Sequence, residues 1–113
     1  MIDTKQFHEN FKEFDKEVIA EIIDIYIDEY PERIKNIQKN IEEKDSEALR
    51  FNAHGLKGVV ANFVNNDPYL LARELENKGR DKDFDGVEEL FEKLKTANIE
   101  LINDLKEIKK DYI

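Results

Sequence analysis

The chain has 113 residues, which suits one small domain and is too short for two cores of ordinary size. Hydrophobic and charged residues make up 40% each, so a single core beneath a heavily charged exterior is expected, and seven Phe and four Tyr argue against intrinsic disorder. A net charge of −9, without any dense Lys/Arg run, argues against nucleic acid as a partner, because a phosphate backbone demands a basic face.

The start, MIDTKQFHEN, carries no apolar core of a signal peptide, and the most apolar stretch, VIAEIIDIYI, is short and broken by Glu21 and Asp24. No membrane insertion and a cytoplasmic location are therefore expected. There is no cysteine, hence no disulfide framework and no thiolate chemistry. Four Gly and two Pro leave little turn material, which favours a few long helices.

Asp3 or Thr4 can cap a short first helix carrying Phe7, Phe11 and Phe14. Asp15 can cap a second, whose stripe runs Ile19, Ile22, Ile23, Tyr26, Tyr30, Ile34, Ile37, Ile41. Pro31 falls within that stripe and predicts a kink or break near Tyr30, since it removes a backbone donor and crowds the carbonyl four residues back. Asp45 or Ser46 can open a third helix along Leu49, Ala53, Leu56, Val60 and Phe63. The segment NNDP ends it, with Asp67 as N-cap and Pro68 at the first position of a fourth helix carrying Leu71, Ala72 and Leu75, for which Gly79 suits the C-terminus. Beyond the turn RDKD, a fifth helix repeats Phe84, Val87, Phe91, Leu94, Asn98, Leu101, Leu105 and Ile108. Short connections between long amphipathic helices predict antiparallel neighbours. The expected fold is thus an all-α, up-and-down four-helix bundle with a short extra N-terminal helix, as one domain over residues 1–113.

The stretch AHGLKG, residues 53–58, stands out because glycine weakens a helix interior by roughly 0.5–1 kcal/mol relative to alanine. At about 100° per residue, Ala53, Leu56, Val60 and Phe63 stay within about 40° of Leu49, whereas His54 falls about 140° away and Gly58 about 180°. His54 therefore faces outward with Gly58 one turn on, where a missing side chain clears room for a macromolecule at the imidazole. Arg50 and Lys57 flank the ring at i−4 and i+3 and can reach an anion held there. Ala61 and Asn62 continue a low-relief surface. Phe51 projects outward too, either to pack on the Phe-rich first helix or to serve as an apolar docking contact. Gly55 lies off that face, and close helix packing is its simplest account. A lone exposed histidine on a helix is most often without function; Gly58 is what that bland account leaves unexplained.

AHGLKGVVANF, followed by LARELE at 71–76, resembles the histidine-containing phosphotransfer (HPt) domain of bacterial two-component phosphorelays: a His-x-x-Lys-Gly core, then Ala-x-x-Leu-Glu on the next helix, matched by Ala72, Leu75 and Glu76. The chain departs from that family at Val64 and Asn65, where a Gly-Ala pair is common, and at Pro68, where an apolar residue is common. The resemblance implies that His54 accepts a phosphoryl group, through Nε2, from a receiver-domain aspartate and passes it to another receiver. Lys57 would screen the phosphoryl charge, Arg50 would assist, Gly58 would give the partner clearance, and Phe51, Ala61 and Asn62 would complete the contact surface. An imidazole, ordinarily titrating near pH 6.5, is largely neutral in the cell and offers a free lone pair. The implied partners are response-regulator receiver domains, with a hybrid sensor histidine kinase as a further candidate, and the chain is expected to be a monomer. It would need no cofactor of its own, Mg²⁺ being brought by the receiver. With no Gly-rich phosphate loop and no second nucleophile, a carrier without autonomous kinase activity is expected.

Two rivals remain: a helical docking module for receiver or kinase domains that is never phosphorylated, and, ranked last, a free-standing enzyme. His8, lacking a following Lys-Gly, is expected to be structural or solvent-exposed. No metal is expected, because Lys5 and Phe51 stand where a Glu-x-x-His metal site would need Glu. Asn98 is taken as a hydrogen-bonded core residue or a drift of the stripe, and the acidic runs Glu42-Glu43 and Asp81 to Asp85 as solvated faces and turns.

Overall fold

The computed structural model describes residues 2–113, and among them five α-helices and a closing 3₁₀ turn account for the regular structure, with no strand. α1 spans Thr4–Asn10, α2 Lys16–Glu42, α3 Ser46–Val60, α4 Asp67–Arg80 and α5 Val87–Lys109, and the turn Lys110–Tyr112 follows. α2 packs on α3 and α5, and α4 on α3 and α5, which closes a four-helix ring with α3 and α4 most extensively paired. At 1.5 Å per residue, the 27 residues of α2 span about 40 Å, which sets the long axis of a 42 × 21 × 20 Å body. Among the described residues, no helix is long and apolar enough to cross a membrane.

The expected stripes form the core. Ile19, Ile23, Tyr26, Tyr30, Ile37 and Ile41 of α2, Leu49, Ala53, Leu56 and Val60 of α3, Ala72 and Leu75 of α4, and Leu94, Leu101 and Leu105 of α5 are all buried. Phe7 and Phe11 stack on each other and against Phe63, so α1 seals the end of the bundle where α3 finishes. Phe14 projects into solvent from the turn after α1. His8, expected to be structural or solvent-exposed, is partly exposed and tied to the C-terminal turn, with Nδ1 hydrogen-bonded to the Tyr112 hydroxyl and Nε2 3.3 Å from Asp111 Oδ2.

Four local expectations need correction. α2 runs unbroken through Pro31. The missing donor removes one backbone bond, but the turns on both sides bury a single stripe, Tyr26 and Tyr30 before the proline and Ile37 and Ile41 after it, in one continuous core. α4 starts one residue early, with Asn66 as N-cap and Asp67 as its first residue. Gly79 lies inside α4 and does not end it. A Cβ there would come within 2.6 Å of Arg50 N and 2.8 Å of Ser46 O, so the glycine permits backbone-to-backbone contact between α4 and α3. α5 begins at Val87, three residues after Phe84, because Gly86 turns the chain with φ +71.

Asn98 is fully buried and hydrogen-bonded: Tyr26 Oη donates to its Oδ1, and its own Nδ2 donates to Leu94 O at 3.0 Å. Burial also pushes the Tyr26 phenol well above its ordinary titration range, so the hydroxyl stays a donor. Asn98→Ala is expected to cost about 1–3 kcal/mol in urea unfolding, since it strands a buried hydroxyl. A Tyr26→Phe, Asn98→Leu double variant should recover most of that loss.

Candidate functional site

The site is built where α3 and α4 cross. Asp45 caps α3 by accepting from Ala48 N, and Leu49, Ala53, Leu56 and Val60 anchor its inner side, so His54 is turned outward with its side chain 66% exposed. On α4, Leu75 is fully buried, and Glu76, the next residue round the helix, falls at the edge of the α3 interface with its side chain only 15% exposed. Each Glu76 carboxylate oxygen has one partner: Oε2 is 2.8 Å from His54 Nδ1, and Oε1 is 2.6 Å from Lys57 Nζ.

These contacts fix the chemistry of the ring. Burial alone would favour the protonated Glu76 carboxyl, but the hydrogen bonds and charges of Lys57 and His54 outweigh it and hold the group below its ordinary value of 4.5. At neutral pH Glu76 is therefore an anion that only accepts hydrogen bonds. In the neutral imidazole the proton then belongs on Nδ1, donated to Oε2, and the Nε2 lone pair faces outward. This carboxylate–histidine arrangement orients the ring as well as selecting its tautomer.

The surroundings of His54 match the wheel in part. A Cβ added at Gly58 would meet nothing within 4 Å, so the clearance is real. Phe51, 73% exposed, does not pack on α1, which removes the packing alternative. Arg50 is exposed and has no ion-pair partner among the described residues. Lys57 is not free to meet an anion unaided: its ammonium is already committed to Glu76. Ala61 and Asn62 are exposed at the far end of α3, roughly 10 Å along the axis from His54, where they line a hollow with Gln6 and Asn10 of α1. Asn62 also borders a smaller hollow with Phe14 and Ile22. Val64, Asn65 and Pro68 all belong to the α3–α4 connection or the first turn of α4, away from the His54–Glu76 pair.

Two residues escaped the sequence. Glu76 figured only as the end of a motif, and its pairing with His54 depends on the α3–α4 register, which no periodicity within either helix encodes. Arg33 of α2 belongs to no motif and carries no signal within its own helix; its guanidinium comes close to the α3 backbone at Gly55.

The central feature of the site is thus an exposed imidazole on a helical bundle, hydrogen-bonded through Nδ1 to a carboxylate and open at its outer nitrogen. The family model of the Hpt domain matches residues 21–110, and the chain belongs to that family. Hpt domains are phosphotransfer intermediates of phosphorelays; they carry phosphoryl groups, are not kinases, and interact with receiver domains. No curated protein and no solved structure matches the chain.

Proposed function

We propose that this chain accepts a phosphoryl group on His54 Nε2 from the phosphoaspartate of one receiver domain and hands it to the aspartate of another. The observation that carries this reading is the Glu76–His54 hydrogen bond, which in the neutral ring puts the proton on Nδ1 and the lone pair on the outer nitrogen, Nε2, of a largely exposed side chain. In the forward step the Nε2 lone pair attacks phosphorus in line, the N–P bond forms, and the P–O bond to the aspartate breaks with its electron pair going to the carboxylate. The proton stays on Nδ1, so the ring becomes an imidazolium, and the Glu76 carboxylate faces the charge it gains. In the return step the same cation makes the ring a good leaving group. The Mg²⁺ and most charge stabilisation come with the receiver, and Lys57, shared with Glu76, screens the phosphoryl oxygens from the near side. The location that fits this role is the cytoplasm.

The test is transfer from radiolabelled, phosphorylated receiver domains of the source organism to this chain. Label that is acid-labile, alkali-stable and maps to residue 54 is the expected result; label absent with every receiver, or found on another residue, would overturn the proposal.

Glu76→Gln is expected to slow transfer about tenfold, the cost of trading a charged hydrogen bond for a neutral one. It should also change the pH dependence of stability. Because the folded state lowers the titration of Glu76, its contribution is complete above pH 4.5 and is lost as pH falls through the lower, folded value. Thermal melts of the two proteins should therefore differ at pH 7 and converge in acid below 4.5.

A further inference from the structure

Gly55 points to a residue outside the His54–Glu76–Lys57 cluster. A Cβ added at Gly55 would meet one atom within 4 Å, Arg33 Nη1 at 3.2 Å, so the absent side chain lets an α2 guanidinium lie against the α3 backbone. Arg33 is poorly satisfied there. Its Nη2 reaches Glu29 Oε1 at 3.3 Å, a loose contact one turn back on its own helix, and its Nε is buried without a hydrogen-bond partner. Five donors in a rigid fork thus make one long bond, although buried N–H groups are normally paired. Its side chain is still 31% exposed, which leaves the fork reachable from solvent.

Gly58 lies between Gly55 and His54 around α3, and a Cβ there would meet nothing within 4 Å, so no side chain rises at that position between the imidazole and Arg33. On the opposite, α4 side stand Lys57, already paired with Glu76, and Arg50, exposed and without an ion-pair partner among the described residues. Of these three cations, then, Lys57 is paired internally, Arg50 is free on the α4 side, and Arg33 alone is held loosely across the clearing.

We infer that Arg33 is a receiver-facing cation: it pairs with an acidic side chain of the docked receiver domain across the Gly55–Gly58 clearing and so positions that partner over His54. The inference rests on His54 being the phosphoacceptor. A planar guanidinium fork matches a carboxylate bidentately, and a receiver that binds Mg²⁺ around its aspartate presents carboxylates at that surface. Arg33 faces α3 well round from the imidazole, so it acts on docking and is a positioning residue.

The experiment uses the full chain and the receiver domain that labels wild type fastest. Arg33→Gln is expected to raise the KM for phosphorylated receiver roughly tenfold, the scale of an arginine anchor at an interface, with kcat unchanged and a weaker dependence of KM on salt. Arg33→Lys, which keeps the charge without the fork, should recover part of that loss. The hydrolysis rate of the isolated phosphohistidine should stay at the wild-type value. A KM for Arg33→Gln within twofold of wild type, or a fall in kcat at constant KM, would overturn the inference. Should Arg33→Gln fail to fold, Arg33→Met, which keeps the apolar stem and removes the charge, supplies the second reading: a raised KM supports the inference and an unchanged KM overturns it. Wild type that takes no label refutes the phosphoacceptor reading itself; labelled wild type with unaltered variants refutes only the role of Arg33.

Discussion

A His54→Gln chain is expected to fold like wild type and to take up no phosphoryl group from any receiver. The fold should survive because the imidazole is mostly exposed and its one hydrogen bond, to Glu76, can be replaced by the glutamine amide donating to Oε2. Transfer should vanish because an amide nitrogen has no available lone pair, and His8, the other imidazole, is tied to Tyr112 and Asp111. Circular dichroism and thermal melting check the first half, and acid-labile labelling the second. Equal labelling of the two proteins would end the phosphocarrier reading. A variant that still binds receivers while unlabelled is the expected result, since Phe51, Gly58 and Arg33 remain in place. If wild type also binds and is never labelled, the chain is a docking module instead. Lys57→Ala is a milder lesion. It leaves the nucleophile but strips Glu76 Oε1 of its cation, so slower transfer without its abolition is expected.

Gly79→Ala should be the most damaging single methyl group in the chain. Its Cβ would approach Arg50 N to 2.6 Å, Ser46 O to 2.8 Å and Arg50 Cα to 2.9 Å, all backbone atoms that no rotamer change can move aside. Alanine favours a helix over glycine by roughly 0.5–1 kcal/mol, but overpacking of this kind costs about 1–3 kcal/mol or more. The clash wins because rigid helices must separate to relieve it. A net loss of about 1–2 kcal/mol, near 4 °C in Tm for each kcal/mol, is the expected reading of a thermal melt. A Tm equal to or above wild type would show that α3 and α4 do not pack as closely as described. Glu76 is three residues before Gly79 and His54 four after Arg50, so the two contacts occupy neighbouring turns of one helix crossing. Spreading that crossing draws the carboxylate from Nδ1, and Gly79→Ala should slow transfer as well as lower Tm.

The difference between Gly58, Gly55 and Gly79 shows where sequence reasoning stops. Gly58 was legible because its meaning depends only on its angle from His54 on a single helix, and rotation within one helix follows from 3.6 residues per turn. Gly55 and Gly79 answer to atoms on other helices, Arg33 on α2 and the backbone of α3, and no pattern inside one helix says which turn of a neighbour it will meet. Pro31 failed for the same reason. A local penalty was read correctly, yet burial of one stripe along the whole length of α2 outweighs it.

By itself, then, the sequence determined the number of helices, the inward stripe of each, the outward turn of His54 and, through the His-x-x-Lys-Gly and Ala-x-x-Leu-Glu motifs, the Hpt family. Periodicity specifies these directly, because each is a property of residues a few positions apart on one helix. Tertiary packing alone brings Glu76 within hydrogen-bond distance of His54, pairs Lys57, and buries Arg33 Nε without a partner beside Gly55. Those facts depend on axial register between helices, through contacts 19 to 22 residues apart in the chain, and the backbone-to-backbone approach at Gly79 holds α3 and α4 in that register.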